Sequence, residues 1–269
     1  VDRKLNYLFS FIGIVVFIFE ASLQQQWNIF LGLILAIIFS FSAFLFRRLT
    51  LDGMFGAMVI GTFIFGLGGW QAAVVVLVFF ITSAAISGRW KMHAPDLPNG
   101  ARRNGLQVWA NGFWLFIGLI LATIFEANIF LVSALASIAT STADTWGTEL
   151  GSTKPNSTYL ITTFENVQAG TDGGISLKGT IAALLGSMMI GAISVYVFSL
   201  KFYIFLCIFL AGFSGSVADS YLGAIFQRNN RSITVPVLHS KFRIDNNLVN
   251  GLATGMGALL AIILKLMLS

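Results

Sequence analysis

Thr140-Ser141-Thr142-Ala143-Asp144-Thr145-Trp146-Gly147-Thr148-Glu149-Leu150-Gly151 closes a long apolar run and sets two carboxylates at its end. Of the 269 residues, 57% are hydrophobic and only 10% are charged. An average soluble domain is about 25% charged. The stretch therefore reads as the end of a transmembrane helix. An ionisable residue at such a place marks function by default, because burying it costs a few kcal/mol or more.

Working outward, runs of spanning or near-spanning length fall at Leu5–Phe19, Asn28–Phe46, Gly53–Phe65, Gln71–Ser87, Leu106–Ile124, Ile129–Thr145, Thr180–Ser199, Phe202–Phe226 and Leu248–Leu268. The expected fold is an all-α, polytopic transmembrane helix bundle forming a single domain over residues 1–269. About nine helices are expected; the first and third runs are short, so eight is the alternative. The basic start Val1-Asp2-Arg3-Lys4 precedes an apolar run without a small-residue cleavage site, so a retained first helix is expected. With the N-terminus cytoplasmic, Arg3, Lys4, Arg47, Arg48, Arg89, Lys91, Arg102, Arg103, Lys154, Lys178, Arg228, Arg231, Lys241 and Arg243 share one side. That leaves only Lys201 and Lys265 opposite, as the positive-inside rule requires. The net charge of +5 thus reads as topology and membrane-lipid contact, with no nucleic-acid partner. The expected location is an integral, multi-pass one, the plasma membrane if the source is a prokaryote, with the active face cytoplasmic. A single cysteine, Cys207, excludes a disulfide framework or a cysteine metal site.

Asp144 has a counterpart. Ser141-Thr142-Ala143-Asp144-Thr145 is echoed by Ser216-Val217-Ala218-Asp219-Ser220. Ser137, Thr140, Ser141, Asp144 and Thr148 fall on one helical face; Gly212, Gly215, Ser216, Asp219 and Gly223 repeat the spacing. Small faces let membrane helices approach closely. Two parallel helices packed this way bring both aspartates to one depth, where they can share a proton or a divalent cation. Glu149 lies about 140° round an ideal helix from Asp144. It joins them only if the helix ends between the two.

Between these helices runs Gly170-Thr171-Asp172-Gly173-Gly174-Ile175-Ser176-Leu177-Lys178-Gly179, ahead of another helix. Glycines that let N–H groups converge, with a helix N-terminus behind them, suit phosphate binding. Lys178 would add a full charge and Ser176 a hydroxyl or a cap. Asn104, Gln107 and Asn111 form a polar stripe after Arg102-Arg103, and Asn247, Asn250, Gly251 and Thr254 form another. Each can bind phosphate or serve helix packing. His93 and His239 have no partner spacing, and no catalytic role is expected of them.

With those residues in hand, the chain resembles the DUF92, or TMEM-nineteen, family of integral membrane proteins, which includes phytyl-phosphate kinases of vitamin E synthesis. The resemblance rests on Arg103-Asn104-Gly105-Leu106-Gln107-Val108 with Ala110-Asn111-Gly112, Ala143 to Gly151, Ile161-Thr162-Thr163, Gly170 to Gly179, Ala218-Asp219-Ser220 with Leu222-Gly223-Ala224, and Asn247 with Val249-Asn250. The chain departs from the family at Val167-Gln168-Ala169, where a proline is common. The resemblance implies transfer of a nucleoside triphosphate γ-phosphate, with CTP the expected donor, to an isoprenoid monophosphate lipid such as phytyl or geranylgeranyl phosphate. In that scheme Asp144 and Asp219 hold Mg²⁺, with Glu149 or Asp172 assisting. Gly170, Thr171, Asp172, Gly173, Gly174, Ser176 and Lys178 hold the donor phosphates. Arg103 and Asn111 hold the acceptor phosphate, and Asn104, Asn247 and Asn250 complete the binding set. The catalytic group is Asp144, Asp219 and Lys178. Three readings compete: a transporter or flippase of an anionic lipid or solute, a polyprenol kinase, which needs a base for its hydroxyl, and a non-catalytic scaffold, which the carboxylate pair disfavours.

Overall fold

Among the described residues the apolar runs become eight helices: α1 (Asp2–Phe19), α2 (Leu23–Leu45), α3 (Leu51–Lys91), α4 (Gly105–Ile124), α5 (Asn128–Gly151), α6 (Leu177–Val197), α7 (Phe202–Leu222) and α8 (Asn246–Leu268). This computed structural model describes residues 2–91, 102–151, 158–228, 232–235 and 240–268; Lys154, Arg231, His93 and His239 lie outside them. Seven helices are long and apolar enough to cross a membrane, and α1 is a shorter apolar one. The chain is an all-α, multi-pass integral membrane bundle.

The two helix counts are reconciled at α3. Its 41 residues read as one helix, but Gly69 sits at φ 66°, ψ −169°. Ala57 and Phe80 wall the same cavity. A straight helix would hold them about 35 Å apart. The chain therefore reverses at Gly69, and Leu51–Gly68 and Trp70–Lys91 run side by side as two arms. Only glycine takes that φ at little cost.

At the centre stands α5. Every residue from Val132 to Ala143 is buried, so this helix is covered on all sides. Nine of these twelve residues are serine, alanine or threonine, and neighbouring glycines close on them. A Cβ at Gly118 of α4 would lie 2.8 Å from Ala134, and one at Gly212 of α7 would lie 2.5 Å from Ala139. Gly215 of α7 and Gly257 of α8 both abut Thr140. The α5 and α7 contacts ascend together, Ala139 with Gly212 and then Thr140 with Gly215, so the repeated faces pack in parallel. Helix α8 runs the other way along α7, Ala253 meeting Gly215 and Gly257 meeting Ala211. Ser137, Thr140, Ser141, Thr142 and Thr145 donate to carbonyls of α5 itself, Thr140 to that of Ala136 at 3.1 Å and Thr142 to that of Ile138 at 2.8 Å.

Two small sheets, unexpected from the sequence, lie in the connections. β1 (Thr158–Leu160) pairs antiparallel with β2 (Asn166–Val167) and β3 (Gly174–Ile175), and β4 (Ser232–Val235) pairs with β5 (Ser240–Arg243). Strands of two to four residues are too short to show alternation. The first sheet matters because it carries the glycine loop.

Candidate functional site between two cavities

Helix α5 carries Asp144 and α7 carries Asp219 to one point. Their carboxyl groups are in hydrogen-bonding contact, and Asp172 of the glycine loop acts on Asp219 electrostatically. Asn250 of α8 completes the cluster: with its nitrogen turned to the carboxylate, it donates to Asp219 Oδ2 at 2.9 Å and to the Asn246 carbonyl at 3.0 Å. Asp245 starts α8 by accepting from the Leu248 N–H at 2.9 Å, which fixes where Asn250 points.

The pair stands between two cavities and lines both, together with Thr148 and Asn246. On one side the wall is Gly170 to Gly174, Ser176, Thr180 and the end of α7. The loop is pinned to α7: Gly173 has φ 77°, and a Cβ there would lie 2.6 Å from the Ala224 nitrogen. That contact falls on the π-helical turn Gly223–Gln227 that follows α7; such turns often accompany functional sites. β1 holds the loop from behind, with the Ile161 N–H donating to the Gly173 carbonyl at 3.0 Å. Thr158 Oγ1 is buried against this cavity and has no hydrogen-bond partner among the described residues. A buried hydroxyl without a partner is costly, and an anion's oxygen would satisfy it.

The second cavity is lined by Arg48, Arg102, Arg103, Gln107, Asn111 and Glu149 as well as the aspartates. Arg103 is held by its backbone and its side chain. Its N–H donates to the Arg48 carbonyl at 2.9 Å, and its carbonyl accepts from the Thr50 N–H at 3.1 Å. Its guanidinium lies over the rings of Phe79, at 5.1 Å, and Phe80, at 5.9 Å. Burial pushes Arg103 below its ordinary pKa, and the Glu149 carboxylate pulls it back up. An arginine stays protonated in a protein nonetheless. Glu149 accepts from Ser87 Oγ at 2.7 Å. It thus faces α3 and Arg103, and α5 continues through Gly151 without ending between Asp144 and Glu149.

Most of the residues singled out in the sequence meet here, and three do not. Lys178 is exposed and lines neither cavity. Ser176 caps α6 by accepting from the Gly179 N–H at 3.1 Å, and Gly179 is the residue turned towards α5, so the first turn directs position 178 outward. Asn104 is a capping residue. Its side chain accepts from the Gln107 N–H at 2.9 Å, while Gln107 Oε1 accepts from the Asn104 N–H at 3.0 Å. Asn247 lines neither cavity; Asn246, four residues before Asn250 on the same face, lines both. Ser176 spends its hydroxyl on the cap and on the Gly151 carbonyl, at 3.2 Å. Ser87, Asn246 and Gln227 escaped the sequence reading. Only Asn246 left a signal there, its i, i+4 relation to Asn250.

Among the described residues no three carboxylate, histidine or cysteine side chains gather as a metal site. The donor set at the pair is two carboxylates, one of them accepting from the Asn250 amide nitrogen. That suits Mg²⁺, which is usually held by one or two carboxylates with water and substrate phosphates. It does not suit a metal that needs a complete protein cage.

The comparisons agree with this architecture. The family model for integral membrane protein DUF92 matches residues 34–258. An uncharacterized membrane protein of Methanocaldococcus jannaschii, MJ0933, is 34% identical over 220 residues, covering 81% of this chain and 86% of that one. Protein PGR of Arabidopsis thaliana is 27% identical, covering 76% and 81%. Protein VTE6, chloroplastic, of the same plant is 28% identical over 140 residues, covering 52% of this chain and 39% of that protein. No solved structure matches. This chain belongs to the DUF92 family of integral membrane proteins.

Proposed function

We propose that this chain is a membrane phosphotransferase that moves the γ-phosphoryl group of a nucleoside triphosphate, CTP by preference, onto an isoprenoid monophosphate. The observation that carries the reading is the placement of Asp144 and Asp219 between two cavities of different character. One is walled by a glycine loop with an unpartnered buried hydroxyl, the other by three arginines. Phosphoryl transfer asks a protein mainly to position two phosphates and neutralise their charge. The family resemblance supplies the acceptor class.

In this reading the donor's phosphates lie against Gly170–Gly174 and Thr158. The acceptor's phosphate lies against Arg103, Arg102 and Asn111. Asp144 and Asp219, positioned by Asn250, would hold Mg²⁺, which supplies charge neutralisation for the clustered phosphates. An acceptor oxygen attacks the γ-phosphorus, the bond to the β–γ bridging oxygen breaks, and a nucleoside diphosphate leaves with that electron pair. The acceptor is already ionised near neutral pH, its second pKa being about 6, so the site needs no strong base. Glu149 fits as the partner of Arg103 and Ser87, orienting the acceptor cavity.

The test is a screen of purified chain with Mg²⁺, each of the four common nucleoside triphosphates, and phytyl, geranylgeranyl or farnesyl monophosphate, read by mass spectrometry. A prenyl diphosphate is the expected product. Its absence in all combinations, with nucleotide-independent lipid flux in proteoliposomes, would point to a transporter instead.

A further inference from the structure

The arginine-lined cavity does not end at its polar wall. Phe80, Arg103, Gln107 and Asn111 also line a third, almost wholly apolar cavity of about 110 Å³. It reaches down between the arms of α3, past Ile60 and Ile64, to Leu115 of α4 and Ile138 of α5. Ile138 lies six residues before Asp144, about 9 Å deeper along α5. On the outer side stand Phe39 of α2, which is exposed, and Phe80, the two rings edge to face at 5.1 Å. A cation and two carboxamides at the mouth of an apolar hole describe an amphiphile with an anionic head.

A larger apolar groove of about 990 Å³ lies between α1, α2 and the first arm of α3, but among the described residues its wall holds Asp52 and no cation. Asp52 accepts from the Gly105 N–H at 2.7 Å and from Thr50 Oγ1 at 2.6 Å, which fixes a carboxylate at that groove's polar end. Size argues further. An apolar cavity of about 150 Å³ takes a benzene, so the smaller cavity takes about one branched five-carbon unit and not a whole lipid chain.

We propose that this cavity receives the isoprene unit attached to the acceptor's phosphate, and that the rest of the tail leaves past Phe39 and Phe80 into the bilayer. The site then recognises a prenyl monophosphate by its first unit and does not measure its length. The identity of the head group rests on the phosphotransferase reading; the location of the tail rests on the shared cavity walls.

The experiment uses the purified full chain in phosphatidylcholine nanodiscs and a prenyl monophosphate with a diazirine on its first isoprene unit. Photolabelling is expected on peptides carrying Ile60, Ile64 or Leu115. Excess farnesyl monophosphate should compete it away and dioleoyl phosphatidic acid should not. Ala57→Phe, which fills the cavity, should lower labelling by about tenfold. Labelling confined to Tyr7–Phe17, absent altogether, or competed equally by phosphatidic acid overturns the proposal, as does unchanged labelling in a folded Ala57→Phe chain. The wild-type map stands without the variant. Phosphotransfer is measured on the same samples. Labelling without transfer refutes the kinase reading alone, and transfer without labelling refutes the cavity alone.

Discussion

The carboxyl groups of Asp144 on α5 and Asp219 on α7 touch, although 75 positions separate them in the chain. What brings them together is a run of small residues on both helices, with Gly212 against Ala139 and Gly215 against Thr140. Two adjacent carboxylates repel unless a proton or a cation lies between them, so this contact is an expense to the fold. Asp144→Asn and Asp219→Asn should each lower phosphotransfer about 100-fold or more, some 2.7 kcal/mol in the barrier. Neither should melt below the wild type, because an amide keeps the hydrogen bond and removes the repulsion. Thermal unfolding and turnover on the same preparations check this; a melt falling in step with activity would make the pair structural.

Arg103 should behave as an acceptor residue. Arg103→Gln is expected to raise KM for the prenyl monophosphate about tenfold or more, leaving KM for the nucleotide unchanged. Arg103→Lys should rescue little, since the flat guanidinium is what lies over Phe79 and Phe80. Steady-state kinetics with each substrate varied in turn give the answer.

The pH profile follows from the same residue. Burial lowers the Arg103 pKa and Glu149 opposes the shift. A cation with a lowered folded pKa loses charge only as pH rises through that value, and for arginine this lies far above neutrality. Acceptor kcat/KM should therefore rise through pH of about 6, where the substrate gains its second charge. It should then stay level to pH of about 9. A fall between pH 7 and 9 would place another titrating group in the acceptor cavity.

Two glycines of the loop separate strain from contact. Gly170 and Gly173 both have positive φ, at 86° and 77°. A Cβ at Gly170 meets nothing within 4 Å, while one at Gly173 collides with Ala224. Gly170→Ala should cost about 1 kcal/mol of stability and raise nucleotide KM less than Gly173→Ala does. Gly173→Ala should also lift the loop off α7 and raise nucleotide KM about tenfold. Equal effects from the two would argue against a docked loop.

Asn104 should be a stability residue only. Losing its cap on α4 costs about 1 kcal/mol, so Asn104→Ala should lower the melting temperature while Asn104→Ser restores it. Turnover at a permissive temperature should change little.

The bundle and its aspartate faces were legible because membrane helices write their length and their packing faces directly into the sequence. Asp144 and Asp219 could be paired from spacing alone, and the glycine loop from composition. What stayed hidden depends on rotation and on chain reversal. Lys178 carries the right charge, but one helical step from Gly179 turns it outward, and the cap at Ser176 sets that phase. Asn104 has the chemistry of a phosphate ligand, and the reciprocal bonds with Gln107 show it is a cap. Asn246 and Asn247 are indistinguishable by type; the start of α8 at Asp245 decides between them. The hairpin inside α3 rests on Gly69, and with it the apolar cavity, whose walls come from segments far apart in the chain.

The most direct test of two phosphate sites meeting at the aspartate pair is label transfer from γ-³²P-labelled nucleoside triphosphate in reconstituted, Mg²⁺-loaded protein supplied with a prenyl monophosphate. Label should appear in the prenyl diphosphate in the wild type and fall about 100-fold in Asp144→Asn and Asp219→Asn. Label released only as inorganic phosphate, or reaching the lipid at full rate in both variants, would contradict the account.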